Sequence, residues 1–180
     1  MYKTKEKVFS DPLMNINPKK IIHYYCDGGK NKDGINSSAF IRKGYGLKTK
    51  EKVVNTYRKS NTSTKAEALA IKLAVEDAIK NNFNPKNVVI YTDQKPFVFN
   101  NFNKSFSLLK ELREVLESKG FCNFKYIRST HSLDGIKPEY LNARTRNSYA
   151  VHKLAEENFT KINRYRRYQL KKKQNQKNKG

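Results

Sequence analysis

The sequence predicts an α/β domain, a mixed sheet with helices packed on it. Three observations lead there. Runs rich in Ile, Val, Tyr and Phe in the first sixty residues are joined by short polar links, the pattern of an antiparallel meander. At residue 64 the apolar spacing changes to a helical period. Strand-like and helix-like stretches then alternate, and a strand–helix–strand crossover makes a parallel pair.

The elements follow in order. Residues 1–20 are charged and broken by Pro12 and Pro18, an N-terminal arm. IIHYYCD, residues 21–27, is a first strand ending on Asp27 before Gly28 and Gly29. Residues 37–43 and 52–59 form the second and third. In TKAEALAIKLAVEDAIK, residues 64–80, Ala66, Leu69, Ala70, Leu73, Ala74 and Ala78 recur at helical spacing, and Asn84-Pro85 closes the region. VVIYTD, residues 88–93, is a fourth strand, again ending on an aspartate. Residues 103–118 read as a helix with Leu108, Leu109, Leu112, Val115 and Leu116 on one side. Residues 121–127 alternate as a fifth strand. A polar loop over 129–146 leads to a last helix with a Val151, Leu154, Ala155, Phe159, Ile162 stripe. Residues 161–180 carry nine Lys or Arg and no acid, a basic C-terminal tail behind a domain spanning 21–160.

The chain has 180 residues, 38 Lys or Arg against 16 Asp or Glu, and a net charge of +22. Such a balance points to a polyanion, most simply nucleic acid, although abundant Lys and Asn also fit a coding bias. Two cysteines, Cys26 and Cys122, exclude a disulfide framework and a paired-cysteine metal motif. Residues 1–20 are too charged for a signal peptide and no apolar run is long enough to span a bilayer. The expectation is a soluble, cytoplasmic monomer with no membrane partner and no small-molecule cofactor.

Two apolar strands each end on an aspartate, and Glu67 sits near the head of the intervening helix. Open α/β sheets place their sites at the carboxyl ends of strands. If the two strands are neighbours, Asp27 and Asp93 lie side by side, and a divalent cation relieves their repulsion. Simpler readings exist for each residue alone. Glu67 fits a capping box with Thr64 as N-cap, Asp27 fits a turn, and Asp93 fits the cap of a following short helix.

YCDGG, STKAEALA and IYTDQ, in this order and spacing, resemble the type 1 ribonuclease H family over about residues 20–160. The resemblance implies the ribonuclease H-like fold, a five-stranded mixed sheet with helices on both faces. It also implies hydrolysis of the RNA strand of an RNA–DNA hybrid with two Mg²⁺ ions, leaving 5′-phosphate and 3′-hydroxyl ends. Asp27 matches the aspartate that bridges the metals; Glu67 and Asp93 match the second and third carboxylates. Two cations about 4 Å apart would clamp the scissile phosphate, one activating water and one stabilising the leaving oxygen.

The last family motif departs. It usually reads N-x-x-A-D-x-L-A, and here the stretch is NSYAVHKLA; aligned on Leu154-Ala155, His152 stands where an aspartate is expected, and Asn147 falls one residue too far upstream. Three readings remain open. His152 is a ligand or a neighbour of one, and imidazole suits Mn²⁺ better than Mg²⁺; or the chain is a weak enzyme or a binding module; or His152 is a solvated helix residue. Glu156, one turn on, is a possible substitute. His131 resembles the family's loop histidine, which helps move protons. By the same resemblance Thr62, Ser63, Thr64 and Lys65 contact the hybrid. Gly28 and Gly29 admit its backbone closely, and Gln94 and Lys95 match substrate-touching positions. The interval between Asp93 and His131 leaves no room for the basic protrusion of some members. Arg164, Arg166 and Arg167, with Tyr165 and Tyr168 between them, offer other phosphate contacts. A DNA-acting nuclease or integrase of the same fold, and a ribosome-associated basic protein, are the alternative functions.

Overall fold

The computed structural model describes residues 17, 20–57, 62–128 and 141–177, with side chains beyond 161 excepted. The N-terminal arm, apart from Asn17 and Lys20, and His131 lie outside the described residues. Five strands form one sheet in the order β3-β2-β1-β4-β5. β1 (Ile22–Lys30), β2 (Ile35–Gly44) and β3 (Lys50–Tyr57) pair antiparallel. β4 (Val88–Thr92) joins β1 in parallel, and β5 (Phe124–Tyr126) joins β4 in parallel. α1 (Ser63–Lys80) makes the crossover from β3 to β4. A short α2 (Lys95–Phe99) and α3 (Ser107–Ser118) connect β4 to β5, and α4 (Ala143–Lys177) follows. Between Asp93 and residue 128 the helical segments are α2, a single 3₁₀ turn at Lys104–Phe106 and α3.

Alternation along the strands divides the core. Tyr24, Cys26, Phe40, Val88 and Ile90 face α1 and α3. Tyr25, Ala39, Ile41, Val89 and Tyr91 face the other way, towards Val151 and Ala155 of α4. Helices therefore cover both faces, as expected. Buried alanines at 66, 70, 74 and 78 let α1 lie close to the sheet.

Several bounds differ from expectation for identifiable reasons. β1 does not end at Asp27, because Gly28, Gly29 and Lys30 remain paired with Ser38, Ser37 and Asn36 of β2. The hairpin closes only at Asn31, whose Oδ1 accepts the N–H groups of Asp33 and Ile35, with Gly34 at φ +74. The α1 cap is Thr62, whose hydroxyl accepts the Lys65 N–H; Thr64 is inside the helix. Glu67 therefore lies beyond a capping box, in the second turn. Gln94, not Asp93, occupies the N-cap position of α2. On α3, Leu109 and Leu116 are buried, whereas Leu108 and Val115 are 39% and 49% exposed, so the apolar stripe is narrower than the sequence suggests. β5 shrinks to three residues at the sheet edge; the preceding Asn123 instead donates its amide to the Lys86 carbonyl. α4 begins at Ala143 because the Asn142 side chain accepts the Thr145 N–H, and it runs past residue 160 without a break. Among the described residues, no helix is long and apolar enough to cross a membrane.

A buried polar cluster ties α1 to the meander. Asp77 Oδ2 accepts from Tyr24 Oη at 2.8 Å and from Arg42 Nη1 at 2.9 Å, and Lys50 binds Oδ1. Burial opposes ionisation of Asp77, but the Lys50, Tyr24 and Arg42 donors outweigh it and hold the carboxyl below its ordinary range.

Candidate active site

Three carboxylates meet at the carboxyl end of the sheet. The parallel ladder between β1 and β4 ends at Tyr25 opposite Tyr91, whose rings stack 4.7 Å apart. Asp27 and Asp93 each follow two residues later, at equal height. β1 overhangs there, bound only to β2. Glu67 arrives from α1, on the opposite face, and passes the strand at Gly28. A Cβ on Gly28 would lie 2.4 Å from the Ala66 carbonyl carbon and 2.5 Å from the Glu67 nitrogen, both backbone atoms. Glycine is what lets α1 approach so closely. One ligand oxygen from each of Asp27, Glu67 and Asp93 can be chosen so that all lie within 4.8 Å of one another.

The electrostatics of this cluster call for a cation. Glu67 is 3% exposed. Burial pushes its carboxyl well above the usual carboxylate range, and the charges of Asp27 and Asp93 add to the effect. The Gly28 N–H opposes the shift. Glu67 Oε2 is buried without a hydrogen-bond partner. An all-oxygen set with an unsatisfied buried oxygen and mutual repulsion suits a hard divalent ion. The donor chemistry therefore fits Mg²⁺ or Mn²⁺.

His152 projects from α4 onto the same cluster. Its Nδ1 lies 2.8 Å from Asp27 Oδ2, and its Nε2 lies 3.3 Å from Glu156 Oε1. The Asp27 hydrogen bond raises the His152 pKa; burial lowers it, and the Asp27 and Glu156 charges raise it further. His152 is thus a close neighbour of a candidate ligand. It is neither a solvated helix residue nor a member of the three-carboxylate group. The open cleft above holds about 400 Å³ and is lined by Asp27, Gly28, Gly29, Lys30, Ser63, Glu67, Asp93, Gln94, His152, Ala155, Glu156 and Phe159.

The ribonuclease H1 LC11, isolated from compost by a metagenomic approach, superposes with a TM-score of 0.55. The match covers 79% of this chain and 98% of that one at 15% identity. The chain has the ribonuclease H-like fold. Ribonuclease H1 of the halophilic archaeon Halobacterium salinarum NRC-1 aligns over 63% of this chain and 88% of its own, at 17% identity and a TM-score of 0.49. No model of a protein family matches the sequence, and no curated protein matches it.

Within this ribonuclease H-like domain, the other expected site residues divide. A Cβ on Gly29 would lie 3.5 Å from the Phe159 ring, and Ser63 and Gln94 border the cleft, with the Gln94 amide donating to Asp93 Oδ1 at 2.9 Å. Thr62 caps α1, and its carbonyl accepts from the Asn36 amide. Thr64 and Lys65 are outside the cleft lining, with Lys65 exposed. Lys95 is exposed on α2, its ammonium 5.4 Å from the Tyr126 ring centre. Arg164, Arg166 and Arg167 lie on the continuous α4. Lys30, Ala155 and Phe159 also line the cleft; Ala155 closes the NSYAVHKLA motif, and no sequence motif marks Lys30 or Phe159. Helical spacing from His152 to Ala155, Glu156 and Phe159 is the one signal that points to Phe159.

The Gly28 contact makes a direct prediction. Gly28→Ala must displace the α1 backbone, at a cost of about 2–3 kcal/mol. Thermal denaturation should show a Tm lowered by roughly 5–10 °C. An unchanged Tm would mean that α1 is not held as closely as described.

Proposed function

We propose that this protein is a metal-dependent endonuclease that hydrolyses the RNA strand of RNA–DNA hybrids, leaving 5′-phosphate and 3′-hydroxyl ends. The observation that carries the reading is the convergence of Asp27, Glu67 and Asp93 in an open cleft on this fold. The net charge of +22 supports a polyanionic substrate, and the superposable LC11 protein is called a ribonuclease H1. Asp27, Glu67 and Asp93 are assigned as the ligands of two Mg²⁺ ions, with Mn²⁺ able to replace them. Held by these three carboxylates, the ions would supply positive charge for a phosphate and lower the pKa of a water. His152 orients Asp27 through their hydrogen bond. His131, which follows β5 in the sequence, is assigned to proton handling. Gly28, Gly29, Ser63 and Gln94 form the wall nearest the hybrid backbone, with Thr62, Thr64, Lys65 and Lys95 beside it.

His152 at the fourth carboxylate position favours a second reading, a weakly catalytic module that mainly binds nucleic acid. One assay separates the two. The purified chain is incubated with labelled RNA–DNA hybrid, single-stranded RNA, duplex RNA and duplex DNA, in Mg²⁺ and separately in Mn²⁺. Cleavage confined to the RNA strand of the hybrid supports the nuclease. Tight hybrid binding without cleavage in either ion selects the binding module, and cleavage of duplex DNA overturns hybrid specificity. For the enzyme, His152→Asp should raise turnover in Mg²⁺ by adding a fourth oxygen ligand beside the three carboxylates.

A further inference from the structure

The sequence places a basic segment at residues 161–180, and α4 carries it as far as Lys177 in one helix with the cleft-lining residues. α4 crosses the sheet obliquely. Arg144 lies over the Tyr91 ring of β4, His152 meets Asp27 of β1, and the Asn158 amide donates to Asn55 Oδ1 of β3 at 2.9 Å. β3 is the edge strand. Phe159 still lines the cleft, and the basic stretch begins two residues later.

From 161 to 177 the helix bears eight Lys or Arg and no Asp or Glu. At 3.6 residues per turn these positions fall on every side of the axis, interrupting any apolar face. A membrane-surface helix needs such a face. Glu157 stands at i, i+4 from Lys161, but no acid is so placed for the seven cations from Arg164 to Lys177, and Arg167–Lys171 and Lys173–Lys177 are repulsive pairs at that spacing. The missing counter-charge must come from outside the segment. From Phe159 to Lys177 the helix rises about 27 Å, comparable with about eight phosphate spacings along one strand of a duplex.

We propose that the 161–177 part of α4 is a phosphate-gripping arm that holds the sugar–phosphate backbone of an RNA–DNA hybrid as the duplex leaves the cleft. This rests on the hybrid-cleaving reading of the cleft and adds where the duplex is held. The arm reads charge and not sequence, because its basic positions are spread around the helix with no base-reading pattern among them.

The test uses the full chain with Arg164, Arg166, Arg167, Lys171, Lys172 and Lys173 all changed to Gln. A matched control changes Lys72, Lys80, Lys86, Lys104, Lys110 and Lys119 to Gln, all exposed and placed on or beside α1 and α3. Hybrid binding is measured by fluorescence anisotropy across salt concentrations in EDTA, which prevents cleavage. The arm variant should bind at least tenfold more weakly at low salt. The slope of log affinity against log salt should fall by roughly 3–5, at about 0.9 for each phosphate no longer neutralised. The control should change the slope by less than about 1. Equal weakening in both variants would replace the arm with a diffuse positive field. Undiminished binding by the arm variant would overturn the proposal, as would stronger binding of the native chain to phosphatidylserine vesicles than to the hybrid. A native chain that cleaves no hybrid but keeps the arm-dependent slope refutes the nuclease and leaves the grip. Normal cleavage with an unchanged slope refutes the grip alone.

Discussion

Glu67→Gln should reduce hybrid cleavage at least a thousand-fold while making the metal-free protein more stable. The two effects share one origin. The carboxylate cluster is arranged to receive positive charge, and without it the folded state bears the repulsion of Asp27, Glu67 and Asp93. An amide at 67 keeps the shape, removes one negative charge and can donate to an adjacent aspartate. The stability gain should be roughly 0.5–2 kcal/mol, seen as a higher Tm in EDTA. A thousand-fold loss of rate corresponds to about 4 kcal/mol of transition-state stabilisation. The pH dependence has a definite sign. The folded-state pKa of Glu67 is raised, so between the unfolded value and the folded one the native state binds the extra proton. Metal-free wild-type stability should therefore fall, as far as this group is concerned, as pH rises above about 4.3. That component should vanish in Glu67→Gln. Retained activity would remove Glu67 from the metal site, and a lower Tm would mean that the cluster is not repulsive.

Asp77→Asn carries the largest expected cost in stability. The substitution leaves Arg42, which is 9% exposed, facing a neutral amide, and weakens the links to Tyr24 and Lys50. Removing one partner from a buried ion pair costs about 3–5 kcal/mol, a large share of a typical domain's 5–15 kcal/mol. Urea denaturation should show the midpoint displaced with little change in slope. Because the Asp77 pKa is held down in the folded state, its contribution is present above the unfolded value near 3.9 and is lost as pH falls through the folded value. The gap between wild type and Asp77→Asn should thus be constant near neutrality and close in acid. A gap independent of pH down to the acid transition would show that the charge of Asp77 is not what stabilises the fold.

The three carboxylates were legible because each sits where a local pattern changes, two at the ends of apolar runs and one near the head of a helical period. What depended on partners distant in sequence was not. The length of β1 past Asp27 is decided by pairing with β2, which no local pattern records. The Asp77 cluster joins residues 24, 42, 50 and 77, and in the sequence Asp77 looks like an ordinary helix residue. Thr62, Ser63 and Thr64 are all competent caps, and no local pattern singles out Thr62, which accepts the Lys65 N–H. His152 could be aligned from its motif, but its link to Asp27 required the placement of α4 across the sheet.

The shared two-residue step from Tyr25 to Asp27 and from Tyr91 to Asp93 makes this centre unequally tolerant of insertions and deletions. Adding a residue to the turn between β1 and β2 lengthens a solvent loop and leaves both aspartates where they are. Adding one within residues 88–93 rotates Asp93 to the opposite side of the sheet and brings Thr92 into its place, because side chains alternate with every residue. Homologous lineages should therefore vary in loop length around 31–34 and 45–49 while keeping the count from the start of β4 to Asp93 fixed.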